Sequence, residues 1–168
     1  MGHVWRYDES IRMKYSTSII GVLTCIFLSA GVLLFFRQGP MLSTIPKLET
    51  ISLEIRDTVL SAHVADTDAK RTQGLSGRES LAANEGMLFI MDRPGRHGIW
   101  MKDMRFPIDI LWIDEAYHVV TIVSDARPET FPTIFVPDSD ARYVLEVPAG
   151  FTREYGVSVG DAVSVAQH

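Results

Sequence analysis

The sequence predicts a mainly β (α+β) domain: compact, mostly antiparallel, a partly open β-barrel with one or two short helices, behind one transmembrane helix. Two observations predict the domain. From residue 49 onward, short apolar or alternating runs recur between Gly, Pro and Asp turn signals, the pattern of short strands rather than long helices. Only two short segments read as helix, at 66–74 and 149–155. A third observation predicts the membrane segment: residues 15–36 are 22 consecutive positions without a charge. As a helix they span roughly 33 Å, enough for a hydrocarbon core of about 30 Å.

Arg6, Arg12 and Lys14 precede that run, whereas Arg37 is followed by no basic residue until Lys47. The positive-inside bias places residues 1–14 in the cytoplasm and the domain outside. A signal-peptide cleavage site after Ala30 fits poorly, because residues 31–36 prolong the apolar run beyond a normal h-region. The segment therefore reads as an uncleaved, single-pass signal anchor. Residues 37–48, with Gly39, Pro40 and Pro46, read as a linker, and 49–168 as the soluble domain. The single cysteine, Cys25, excludes an intramolecular disulfide, a CxxC redox pair and a cysteine-rich zinc site. Residues 1–48 carry five basic and two acidic side chains, and residues 49–168 carry 11 and 19, a net −8. That balance argues against a nucleic-acid partner.

Within the domain, residues 51–55 alternate apolar and polar; Arg56-Asp57 turns them into a paired strand over 59–64. Asp66 is the expected N-cap of a short helix stopped by Gly74. Residues 86–91 read as a buried strand closed by a turn at 92–95, and 97–101 as extended. Residues 109–114 form the strongest strand, its apolar centre implying cover on both faces. Strands follow at 118–123, 142–147 and 161–166, with a short helix at 149–155.

Candidate chemistry concentrates in three places. Asp103 and Asp109 flank a turn set by Pro107, where Phe106-Pro107 is a candidate cis bond. Paired carboxylates do acid–base work when their environments differ, but turn capping and ion pairing are the simpler roles. Arg71, Arg78 and Arg142 with Glu146 form a second set. Alternation puts Arg142, Val144 and Glu146 on one strand face and Tyr143, Leu145 and Val147 on the other. Arg142 and Glu146 stand about 13 Å apart, so each needs another strand's partner, a solvent exit or a ligand. Arginines converging in a cleft would favour a carboxylate or phosphate. Thirdly, His97, Trp100, Met101 and Met104 suit Cu(I) chemically, yet an extended chain spreads them too far apart. Gly74-Leu-Ser-Gly77 falls one residue short of a nucleophile elbow, and no Walker loop, GxGxxG or HExxH is present.

The ordered motifs RTQGLSGR (71–78), GMLF (86–89), WMKD (100–103) with PID (107–109), ARYVLEVPAG (141–150) and GVSVGD (156–161) resemble the family known as domain of unknown function 192. The resemblance spans nearly all of 51–166. It implies a compact β-rich domain, often secreted or tethered, with no assigned activity. The family's recurring positions fall here on Arg71, Gly74, Leu75, Arg78, Gly86, Met87, Trp100, Met101, Pro107, Asp109, Arg142, Tyr143, Glu146 and Gly150. Asp103 stands where many members carry asparagine, which weakens its case as an obligatory acid or base. The turn at 115–117 lacks the glycine usual there, implying a longer or differently bent hairpin.

The resulting expectation is an extracytoplasmic binding domain without catalysis, cofactor or metal. Its ligand is a small molecule or envelope-polymer segment held by Arg71, Arg78, Trp100, Lys102, Asp103, Asp109, Arg142 and Glu146. The rivals are an accessory module that binds an envelope protein, and an envelope hydrolase using Asp103 or Asp109 as acid–base.

Overall fold

The structure, a computed structural model, describes residues 49–166. The expected signal anchor at 15–36 lies outside these residues, and among them no helix is long and apolar enough to cross a membrane. Chain order is β1 (Thr50–Ile55), β2 (Thr58–Ala65), α1 (Asp68–Gln73), β3 (Glu85–Gly95), β4 (Ile99–Trp100), β5 (Ile108–Ile113), β6 (Val119–Ala126), a 3₁₀ turn (Pro128–Thr130), β7 (Ile134–Phe135), β8 (Ala141–Pro148), α2 (Phe151–Glu154) and β9 (Val163–Val165).

Seven strands form one sheet in the order β6-β5-β8-β3-β2-β1-β9, and β4 and β7 form a separate two-stranded ribbon. Every pairing is antiparallel except β2 with β3. A parallel neighbour requires a crossover, and residues 66–84, carrying α1, provide it. The sheet curls until its edges approach. His118 bridges Ala162, and the Val163 N–H donates to Tyr117 O at 2.8 Å. The result is a half-barrel, as the strand pattern predicts.

Period-two alternation divides the buried residues between two cores. Leu53, Val119, Leu111, Leu145 and Val163 come from both ends of the sheet yet form one cluster, so they fill the inside of the curl. Met87, Phe89, Ile110, Trp112 and Val144 form the other cluster on the outer face, where Leu75 and Met101 cover them. All six β5 residues are buried, which matches its uninterrupted apolar run. The β8 alternation also holds: Val144 belongs to the outer core, and Leu145 and Val147 to the inner one.

Several local expectations are corrected. Thr67, not Asp66, caps α1, its side chain accepting from Lys70 N, while Asp66 pairs with the Lys70 ammonium at 2.7 Å. Gly74 ends α1 at φ +47°, a conformation glycine adopts without strain. Residues 92–95 are not a turn but the continuation of β3, with a register irregularity between Ile90 and Gly95. An irregular stretch lets the strand carry Pro94, which has no N–H for the ladder. Among the described residues the cis bond is Phe131–Pro132, not Phe106–Pro107. In the β5–β6 hairpin, Tyr117 takes the left-handed conformation (φ +64°) that a glycine would adopt easily.

Candidate functional site

Glu146 lies mid-way along β8, with Met87 of β3 and Ile110 of β5 as its register partners on either side. It is 5% exposed, and its carboxyl has no hydrogen-bonding or ionic partner among the described residues. Burial alone raises its pKa from 4.5 to about 8, because a low-dielectric surround penalises the charged form. The side chain instead joins the wall of a cleft of ≈370 Å³ on the outer face of the sheet, shared with Phe89, Met91, His97, Trp100 and Met104.

Two loops build the cleft against the sheet. The segment before β4 is pinned by the Trp112 indole N–H, which donates to His97 O at 2.8 Å. Gly98 permits close packing of β4 on β7; a Cβ there would meet Ile134 Cγ2 at 2.5 Å. The loop after α1 is tied to the 100–103 segment by Ser76 Oγ donating to Lys102 O and Gly77 N to Asp103 O, both at 2.9 Å. Trp100 sits at the rim, 51% exposed. Its ring meets Phe131 edge-on at 5.8 Å, and the Lys102 ammonium lies 5.7 Å from its centroid, within cation–π range.

The family model DUF192, described as "Uncharacterized ACR", matches residues 51–165. The chain belongs to the DUF192 family. Similar proteins include a UPF0127 protein of Thermococcus gammatolerans, 33% identical over 115 residues, covering 66% of this chain and 71% of that protein. Another from Thermococcus kodakarensis is 30% identical over 103 residues, covering 60% and 62%. Two crystal structures share the fold. One, from Sinorhizobium meliloti and described as a candidate transcription regulator, has a TM-score of 0.68 at 29% identity, covering 70% of this chain and 95% of that one. The other, a protein of unknown function from Novosphingobium aromaticivorans, has a TM-score of 0.67 at 26% identity, covering 72% and 89%.

The DUF192 domain does not gather all the expected site residues in one place. Glu146, Trp100 and Arg71 line the cleft, and Lys102 stands at its rim over Trp100. Arg71 is already engaged: its guanidinium donates to Ile90 O at 2.7 Å and Asp66 O at 3.1 Å, and pairs with Asp68 and Asp92 at 2.6 and 3.2 Å. It clamps α1 to β3. Arg78 is half-buried and does not line this cleft. Arg142 does not line it either; it acts on the Tyr143 hydroxyl, lowering that group's pKa against the larger upward effect of the Tyr117 hydrogen bond. The three arginines therefore do not converge.

The carboxylate pair of the DUF192 domain also separates. Asp109 is fully buried and pairs with no arginine. Its two oxygens accept from Asp125 N (2.9 Å), Gly150 N (3.2 Å), Thr152 N (2.9 Å) and Thr152 Oγ1 (2.6 Å). Four donors fill the four acceptor sites of a carboxylate, leaving nothing for acid–base work. Asp103 holds a left-handed turn (φ +55°), a conformation that asparagine and aspartate tolerate better than other residues with a side chain. Met101 is buried in the outer core, apart from the His97 and Met104 of the cleft wall. Among the described residues no cluster of three or more His, Cys, Asp or Glu forms a metal site. Phe89 and Met91, which the sequence reading did not single out, complete the wall; alternation from Met87 along β3 gives both to the face of Glu146.

Proposed function

We propose that this DUF192 domain is an extracytoplasmic binding module, tethered by residues 15–36, that holds a small ligand in the cleft between Glu146 and Trp100. The carrying observation is the unpartnered Glu146 carboxyl. An ionisable group buried without a partner costs stability, and an apolar residue between Met87 and Ile110 would avoid that cost. A ligand that engages the carboxyl gives it a use. The cleft volume falls at the small end of the range for small-molecule sites, and its mix of apolar walls with one buried polar group suits such a site.

The test is a thermal-shift screen of the full-length chain, solubilised in mild detergent, against sugars, amines, nucleotides, peptidoglycan fragments and metal ions. A ligand at about 100 times its Kd adds roughly 2.7 kcal/mol of stability, a shift of several degrees. The expected hit is lost in Trp100→Ala and in Glu146→Leu. Hits indifferent to both substitutions would remove the cleft from consideration. Protease protection of residues 1–14 in sealed inverted and right-side-out vesicles tests the tether and its orientation.

A second reading is favoured by the apolar rim. Trp100, Phe131, Ile134 and Val136 are 51, 43, 57 and 52% exposed, and clustered exposed apolar residues mark protein contacts. In an accessory module, Ile134→Asp abolishes partner capture while small-ligand binding survives.

A further inference from the structure

We propose that the ligand of this cleft is a methylated ammonium cation, with Glu146 as its counter-charge and Trp100 as its aromatic wall. This rests on the cleft being the ligand site and names the chemistry it takes. A buried carboxylate in a folded protein is normally paired, hydrogen-bonded or bound to a metal. Glu146 has none of these among the described residues, so the missing half of the interaction is a cation. The surroundings select which cation. Phe89, Met91, Trp100 and Met104 give the wall aromatic faces and thioethers, and Gln73 already donates its side-chain N–H to Ser76 O.

A primary ammonium carries three donors, each needing an acceptor. A trimethylammonium group needs only a counter-charge and aromatic or polarisable contacts. The Lys102 ammonium 5.7 Å from the Trp100 centroid shows that this ring already attracts a cation. The net −8 of residues 49–168 favours cation approach over anion approach.

Capture of a cation must ionise Glu146. The carboxyl proton leaves to solvent as the ammonium enters, one proton out for one cation in. Because burial holds the carboxyl pKa near 8, affinity rises about tenfold per pH unit below 8 and levels above it. The flanking register partners, Met87 and Ile110, do not titrate. The other charged or titratable groups at the cleft are Arg71, committed to Asp68 and Asp92, His97, whose Nε2 lies 2.9 Å from Arg93 O, and Lys102, whose ammonium stands at the rim 5.7 Å from the Trp100 centroid.

The experiment is titration calorimetry of the full-length chain with choline, and with its uncharged isostere 3,3-dimethylbutan-1-ol, at pH 6 to 9 in buffers of different ionisation enthalpy. Choline should bind with close to one proton released at pH 7 and almost none at pH 9. The isostere should bind at least tenfold more weakly. Glu146→Gln should lose choline binding while retaining a cooperative unfolding transition, and His97→Gln should keep the pH slope. Dihexanoylphosphatidylcholine below its micellar concentration separates the two sources of the group: tighter binding than choline assigns a lipid headgroup, and weaker binding a free solute. Equal binding of choline and the isostere without proton release, both abolished by Trp100→Ala, would overturn the cation and leave the ligand cleft standing. Absence of choline binding at every pH also overturns it, and the broad screen then judges the cleft separately.

Discussion

Asp109 and Glu146 are two buried carboxyls one register step apart, on neighbouring strands and on opposite faces of the same sheet. Asp109 pairs in register with Val147 of the inner core, and Glu146 with Ile110 of the outer one. Asp109 is saturated by four donors, three of them from residues 150–152 at the start of α2. Glu146 has no donor and faces a cleft. The same functional group is therefore structural on one face and available on the other. Burial does not distinguish them; the difference lies in which backbone N–H groups lack another acceptor. The first turn of α2 supplies such orphan donors to Asp109, whereas the strands flanking Glu146 spend theirs on the ladder.

The largest effect comes from breaking the saturated acid. Asp109→Ala leaves the Asp125, Gly150 and Thr152 donors without their acceptor, and the expected loss is about 4 kcal/mol in denaturant unfolding. Thr152→Val removes one donor of the four and should cost about 1–2 kcal/mol. If Asp109→Ala proved near neutral, the contrast between the two acids would collapse.

The opposite sign is expected on the other face. The folded state keeps the Glu146 proton up to about pH 8, while the unfolded chain releases it near 4.5. Between those values the folded form binds more protons, so this group lowers stability as pH rises and its cost saturates above pH 8. Glu146→Gln removes the titration. Relative to the parent, the variant should gain about 2.5 kcal/mol between pH 5 and pH 7, read as diverging melting temperatures. Parallel pH profiles would mean that Glu146 is not held protonated.

How much of this was legible in the sequence differs between the two acids. The alternation of residues 142–147 assigned Glu146 to a face without a local partner and required an exit, a partner or a ligand, and the cleft is that exit. The fate of Asp109 was not legible, because its donors at 125, 150 and 152 are brought in by the β5–β8 and β5–β6 registers, which no local pattern encodes. The arginines failed for the same reason. Arg71 finds its acceptors on α1 and β3, including the carbonyl of Ile90 where the β3 ladder becomes irregular. Periodicity gives faces and strands well; it does not give the contacts that cross between elements.

Arg71 is the intermediate case, a charged group of the cleft wall with a structural occupation. Its side chain is 15% exposed, its Asp68 and Asp92 partners 95% and 81%. The exposed ion pairs contribute little, and most of the loss should come from the two carbonyl acceptors. Arg71→Met is expected to cost about 1–2 kcal/mol, and that cost should survive 0.5 M salt. A loss erased by salt would place the clamp in the ion pairs instead.

The smallest effects are expected at the two arginines that lie away from the cleft. Arg78→Ala and Arg142→Ala, both at half-buried positions, should each leave ligand affinity within about twofold and cost no more than about 1 kcal/mol of stability. Arg142→Ala still has a spectroscopic consequence. Its guanidinium lowers the Tyr143 pKa, opposing the Tyr117 hydrogen bond and burial that raise it. Removing it should move the phenol titration further upward in ultraviolet difference spectra, with the ligand response unchanged. A loss of ligand binding in Arg142→Ala would extend the site across the sheet to the Tyr117–Tyr143 stack (centroids 5.3 Å apart) at the inner cavity, where Ile51, Leu88 and Val163 line an apolar space of ≈490 Å³. The division of labour between the two faces would then have to be redrawn around the arginine rather than the acid.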